Sequence, residues 1–158
     1  MNQNKIKNIT YLAVFIIAIL AIGFVIAGIT AAHIQGWYAI IEHPSFAPPN
    51  WLFGPVWSVI YIMIAISGWL VFLKDQLKGK VLGIYIVQLA LNFLWSIIFF
   101  SYHEISLALL EMTVLWVFIA WNIRIFLSIS KVAGYLLVPY ILWVSFACVL
   151  NLGFLLSN

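Results

Sequence analysis

Five stretches of this chain are each long and apolar enough to cross a lipid bilayer, and the charges gather between them. They run over about 9–30, 51–73, 81–100, 105–129 and 132–156 of the 158 residues. A crossing helix takes about 20 residues, so five use roughly 100–115 and leave no room for a separate soluble domain. Inside lipid each backbone N–H and C=O must be paired within the protein, which leaves helices or closed barrels. Runs of this length call for helices. The expected fold is therefore an all-α integral membrane protein, one domain over 1–158, built as a five-helix transmembrane bundle. Composition agrees: only 7% of residues are charged, against about 25% in a soluble domain.

The first run, Ile9 to Thr30, carries no charge after a polar start holding Lys5 and Lys7. A cleaved signal peptide is the rival reading, but signal cores span about 7–15 residues. The greater length favours an anchor. All seven basic residues, Lys5, Lys7, Lys74, Lys78, Lys80, Arg124 and Lys131, fall on the N-terminal side of a five-span topology. Glu42 and Glu104 fall on the other. By the positive-inside rule the N-terminus is cytoplasmic, with the first loop and the C-terminus opposite. The basic residues are scattered and make no stripe, so no nucleic-acid partner is expected. Cys148 lies alone in an apolar run and reads as a small hydrophobe.

The longest connection, Ala31–Asn50, leads into a junction dense in proline and tryptophan: Pro44, Pro48, Pro49, Trp51, Pro55 and Trp57. Proline fixes φ and removes a donor, so the approach to Trp51 is stiff and extended. Pro55 suits the first turn of the helix that follows. Trp37–Glu42 has the makings of a short interfacial helix, and Pro139 of a kink near the start of the fifth span.

Several side chains inside the spans are ones that lipid would not choose. Tyr85, Gln88, Asn92, Trp95 and Ser96 share one face of the third span. Tyr140, Trp143, Ala147, Asn151 and Phe154 do so on the fifth, and Trp51, Ser58, Tyr61, Ala65 and Trp69 more loosely on the second. Amides facing hydrocarbon would go unpaired, so Gln88, Asn92 and Asn151 should point inward. Two readings stand for these stripes. One is interhelical hydrogen bonding, worth about 0.6–2 kcal/mol per contact; the other is a cavity where aromatic faces and a few amides meet a ligand. Trp95, Trp116 and Trp143 lie too deep for the interfacial belt and face either lipid or a helix. Glu111 is an acid within a span, which marks a functional candidate or a hydrogen-bonded structural group. There is no GxSxG, HExxH or phosphate loop. His33, His43 and His103 fit no metal spacing, so no metal site is expected. Gly79-Lys-Val-Leu-Gly83 matches the close-packing GxxxG pattern.

Gly36-Trp-Tyr-Ala39, Pro44-Ser45, Pro48-Pro49, Trp51 and Gly54-Pro-Val-Trp57 together resemble the tryptophan-rich sensory protein family, also called the translocator protein or peripheral-type benzodiazepine receptor family. Gln88-Leu-Ala-Leu-Asn92 with Trp95 and Phe99-Phe100 resembles its third span. Pro139-Tyr140, Trp143, Phe146 and Leu150-Asn151 resemble its fifth. The likeness runs in order along nearly the whole chain and is to bacterial members.

The resemblance implies a homodimer of five-helix bundles whose long first loop forms a lid over an intrabundle cavity. It implies a receptor or sensor that binds porphyrins, such as protoporphyrin IX and haem-type tetrapyrroles, and isoquinoline carboxamide or benzodiazepine ligands. Matched by motif, the ligand-binding residues are Trp51, Asn92, Trp95, Trp143, Ala147 and Asn151. Two alternatives remain open. One is a light- and oxygen-dependent porphyrin-degrading enzyme, with Trp51 and Trp143 as the catalytic candidates; the other is a transporter of porphyrin or other amphiphiles. The expected partners are a tetrapyrrole ligand, membrane lipid and a second copy of the chain. No cofactor is required, porphyrin entering as ligand or substrate. The chain departs from the family pattern at Phe46, Ala47 and Leu107, and its fifth span lacks the basic residue of the proposed sterol motif.

Overall fold

A computed structural model describes residues 3–158 and is helical throughout, with no strand among the described residues. The helices are α1 (Gln3–Ile34), α2 (Trp37–Ile40), α3 (Phe53–Phe72), α4 (Gly79–Ser96), α5 (Ile105–Ile129), α6 (Lys131–Leu136) and α7 (Val138–Ser157). A 3-10 turn over Asn50–Leu52 leads into α3, and a π-helical turn over Ile97–Ser101 extends α4. Five helical segments are long and apolar enough to cross a membrane: Gln3–Ile34, Asn50–Phe72, Gly79–Ser101, Ile105–Ile129 and Lys131–Ser157. The protein is a multi-pass integral membrane protein. The first span is longer at both ends than the apolar run alone, because helix continues through the polar residues from Gln3 and through His33.

Local chemistry sets the breaks. Asp75 and Gly79 adopt positive φ, 53° and 52°, which turns the chain between α3 and α4. Asp and Gly are among the residues that tolerate this region. Gly79 and Gly83 have open space where a Cβ would go, so the GxxxG pattern packs against nothing within the protomer. The fifth span breaks at Leu137. Pro139 lies at the start of α7, where its missing N–H interrupts no helical hydrogen bond, and the expected kink is thus a short break between two helices. Pro55 is the third residue of α3, within its first turn.

Close contacts between helices are made by glycine under tyrosine. A Cβ on Gly23 of α1 would lie 2.6 Å from the Tyr61 ring, and one on Gly68 of α3 2.6 Å from Cζ of Tyr85. The Tyr85 hydroxyl donates to the Ile64 carbonyl (3.0 Å), tying α4 to α3. Trp116 donates from Nε1 to Ser145 Oγ (2.8 Å), joining α5 to α7, so this deep tryptophan serves helix packing. Gln88, Asn92 and Asn151 are all buried, as their chemistry requires. By contrast α1 buries only Ile19 and Gly23 along its 32 residues.

The ends of the bundle differ in charge. Trp69 Nε1 donates to the Asn8 carbonyl, Lys74 Nζ to the Ile129 carbonyl, and Lys80 lies over Trp121. These contacts gather the basic residues at one end. The other end carries the segment 35–49. Tyr38 is buried there among Phe99, Phe100, Phe154 and His43, with ring centroids 4.6–6.3 Å apart. His43 donates from Nε2 to the Tyr38 carbonyl (2.9 Å). Pro44 rests on Gly153. Asn158 brackets Glu42, accepting from its N–H (2.9 Å) and donating to its carbonyl (3.1 Å).

Candidate functional site

Between α1, α3, the α4 end and α7 lies a cavity of about 870 Å³. That is within the usual range of small-molecule sites, about 300–1,000 Å³. Each wall has a reason in the sequence. Small residues of α1, Ala21, Gly23 and Ala27, leave the space. On α3, Trp57 stacks on Tyr61 (5.3 Å, 27°) to make a flat aromatic panel. Trp95 stacks on Phe99 (5.4 Å, 23°) to make a second. The π-helical turn, with one residue more per turn than an α-helix, carries Phe99 and Phe100 to the cavity. Ala147, Leu150, Asn151 and Phe154 of α7 complete it.

Four of the six residues singled out from the sequence line this cavity: Trp51, Trp95, Ala147 and Asn151. Trp51 stands at the rim, 71% exposed. Asn92 does not reach the lining; its Oδ1 accepts from the Tyr61 hydroxyl (3.1 Å) and so fixes a wall residue from behind. Trp143 is not in the lining either. It packs on Phe53 (5.9 Å) and Phe146 (5.4 Å) and lines a separate apolar depression with Pro55, Val59, Met63 and Leu142. Phe53 lies between Trp143 and the cavity it faces. The α1 wall carries no motif and was not singled out from the sequence; its only signal is the run of alanines and glycines opposite Tyr61.

Among the described residues, no charged side chain lines the cavity. Its polar groups are hydroxyls, amides and indole N–H groups, and Ser58, Tyr61 and Asn151 are already engaged. Ser58 donates to the Gly54 carbonyl. With its amide oriented to match its neighbours, Asn151 donates to the Ile105 carbonyl (3.1 Å) and accepts from the Leu109 N–H (3.2 Å), stitching α7 to the first turn of α5. Burial pushes the Tyr38 phenol up, so it stays neutral. Trp95 is different: its Nε1 is buried and has no protein partner. The cavity thus offers flat aromatic walls and a lining whose polar groups are uncharged. Among the described residues, no three His, Cys, Asp or Glu side chains come together to hold a metal ion.

The model of the TspO/MBR family matches residues 15–156. The chain belongs to the TspO/MBR family. It is 40% identical over 155 residues to the tryptophan-rich protein TspO of Archaeoglobus fulgidus, covering 96% of this chain and 99% of that one. It is 33% identical over 115 residues to the tryptophan-rich sensory protein of Cereibacter sphaeroides, covering 73% and 72%. The human translocator protein is 34% identical over 146 residues, covering 83% and 85%. The family match takes in every residue of the cavity lining.

Proposed function

We propose that this TspO/MBR protein is a membrane receptor or sensor that binds a tetrapyrrole, or a flat aromatic amide of similar size, in the cavity between α1, α3, α4 and α7. The observation that carries this reading is the pairing of two stacked aromatic panels with a lining free of charge. A porphyrin is a flat apolar disc with two carboxylates. Its ring fits between such panels, and its carboxylates need water, so they point to the rim at Trp51. The names of the relatives, one a sensory protein and one a translocator, are consistent with ligand recognition at a membrane.

In this reading segment 35–49 is the lid. Its support is the pinning of Tyr38, Pro44 and Glu42 across the ends of α4 and α7. The basic end of the bundle faces the cytoplasm and the lid the opposite side. The protein works as a homodimer, as the family resemblance implies.

Fluorescence quenching by protoporphyrin IX tests the site. Trp51→Phe and Trp95→Phe, which replace an indole by a smaller ring at rim and wall, should each weaken binding by about 0.5–1.5 kcal/mol, up to the usual worth of an aromatic contact. Trp143→Phe should weaken it less, because Trp143 acts through Phe53. Titrations unchanged in both Trp51→Phe and Trp95→Phe would place the ligand elsewhere.

A further inference from the structure

Behind the cavity wall lies a carboxyl group with nothing to hold it. Glu111 is on α5, 8% exposed, and among the described residues neither carboxylate oxygen has a hydrogen-bond partner. It sits between the two apolar clusters of the bundle. One turn outward, Ala108 packs with Phe99 and Leu150, both of the cavity wall; the adjoining Met112 belongs to the main core. No cation compensates it. The nearest basic residue along its own helix, Arg124, is thirteen positions on, about 20 Å at 1.5 Å per residue. The titratable groups that face it from α7 are Tyr140 and Cys148, and Cys148 adjoins the wall residue Ala147. Tyr61 on α3 and Tyr85 on α4 lie around Tyr140. All are neutral. The Tyr140 hydroxyl also has no hydrogen-bond partner, although the Asn92 amide lies beside it.

A bare carboxylate within a membrane is among the most costly groups a protein can hold. Its cost depends on how much water is near. Ala108, one turn from Glu111, shares an apolar cluster with the lining residues Phe99 and Leu150, so water filling the cavity would ease ionisation and a ligand filling it would oppose ionisation. We propose that Glu111 is a proton-binding site linked to the cavity: it holds its proton when the cavity is loaded and releases it more readily when the cavity is wet. The linkage rests on the ligand-site reading above. It requires no charge on the ligand, because expelling water is enough.

The sign follows from linkage. If loading favours the protonated form, binding takes up a proton and affinity falls as pH rises through the range where the empty protein ionises. The limit is one proton per ligand and tenfold in affinity per pH unit, one unit being equivalent to about 1.36 kcal/mol.

The test uses the full chain in lipid nanodiscs and an uncharged isoquinoline carboxamide, which brings no titrating group of its own. Ligand is added in weak buffer with a pH indicator, to wild type and to Glu111→Gln. Wild type should take up protons and bind more weakly as pH rises. Glu111→Gln should bind with a flat pH profile and no uptake. Glu111→Met, similar in size and without a charge, is the second variant should the glutamine protein not fold. On ligand addition the infrared C=O stretch of a protonated carboxyl should grow in wild type and be missing in Glu111→Gln. Binding to wild type without uptake, or with the same uptake in Glu111→Gln, overturns the proposal and leaves the cavity reading standing. No binding to wild type overturns the cavity reading, and the linkage with it.

Discussion

Tyr61 does two jobs with one side chain. Its ring stacks on Trp57 in the cavity wall and its hydroxyl donates to Asn92, with Gly23 of α1 pressed against its edge. Tyr61→Phe keeps the ring and removes the donor, leaving Asn92 without that bond. A loss of about 0.6–2 kcal/mol is expected in thermal or chemical unfolding, the range seen for polar contacts between membrane helices. Gly23→Ala meets the same ring from the other side. The added methyl has no space, so Tyr61 must swing and the aromatic panel with it. Overpacking of this kind costs about 1–3 kcal/mol, and porphyrin quenching should fall with the melting temperature. Gly68→Ala, against Tyr85, should cost as much stability while leaving ligand affinity unchanged, since neither residue touches the cavity. The inward placement of Gln88, Asn92 and Asn151 was legible in the sequence, because an amide in hydrocarbon has only one sensible direction. Their tasks were not legible. Whether an amide meets ligand or helix depends on neighbours from other spans, such as Tyr61 for Asn92 and Ile105 for Asn151.

At the scale of elements, hydropathy located all five spans, and the fourth, Ile105–Ile129, coincides with the helix observed. The break at Leu137 was anticipated only as a kink, since Pro139 dictates an interruption but not how the chain resolves it. The π-helical turn at Ile97–Ser101 left no sign in the sequence. Its residues Phe99 and Phe100 pack on Tyr38, about sixty positions away, and such a distant contact cannot be read from local sequence. The 35–49 segment is attached at few points, and Asn158 supplies two of them. Asn158→Ala should therefore speed hydrogen exchange across 38–44 while the helical core keeps its protection. Equal exchange in the variant would mean that Tyr38 and Pro44 hold the segment unaided.

For the whole molecule, the separation of charge between the two ends gives the proposed orientation a direct test. In a Cys148→Ser background, Tyr102→Cys should react with an impermeant thiol reagent added outside intact cells, and Asp75→Cys should not. The reverse pattern would invert the topology while keeping the five spans. The number of spans could be read from hydropathy. The α1 wall of the cavity could not, because its residues are those that any lipid-facing helix would use.

That wall has a practical consequence. Ile17 and Phe24 belong to the cavity lining, yet they are also among the most exposed residues of α1, well within the first span. The mouth of the cavity therefore reaches the surface that a detergent micelle covers, and alkyl tails of the micelle have access to it. Titrations in detergent would then be competition experiments. The apparent dissociation constant should climb with micelle concentration at fixed protein, and nanodiscs of different acyl composition should rank ligands differently from detergent. Affinities for this protein are meaningful only with the surrounding amphiphile named.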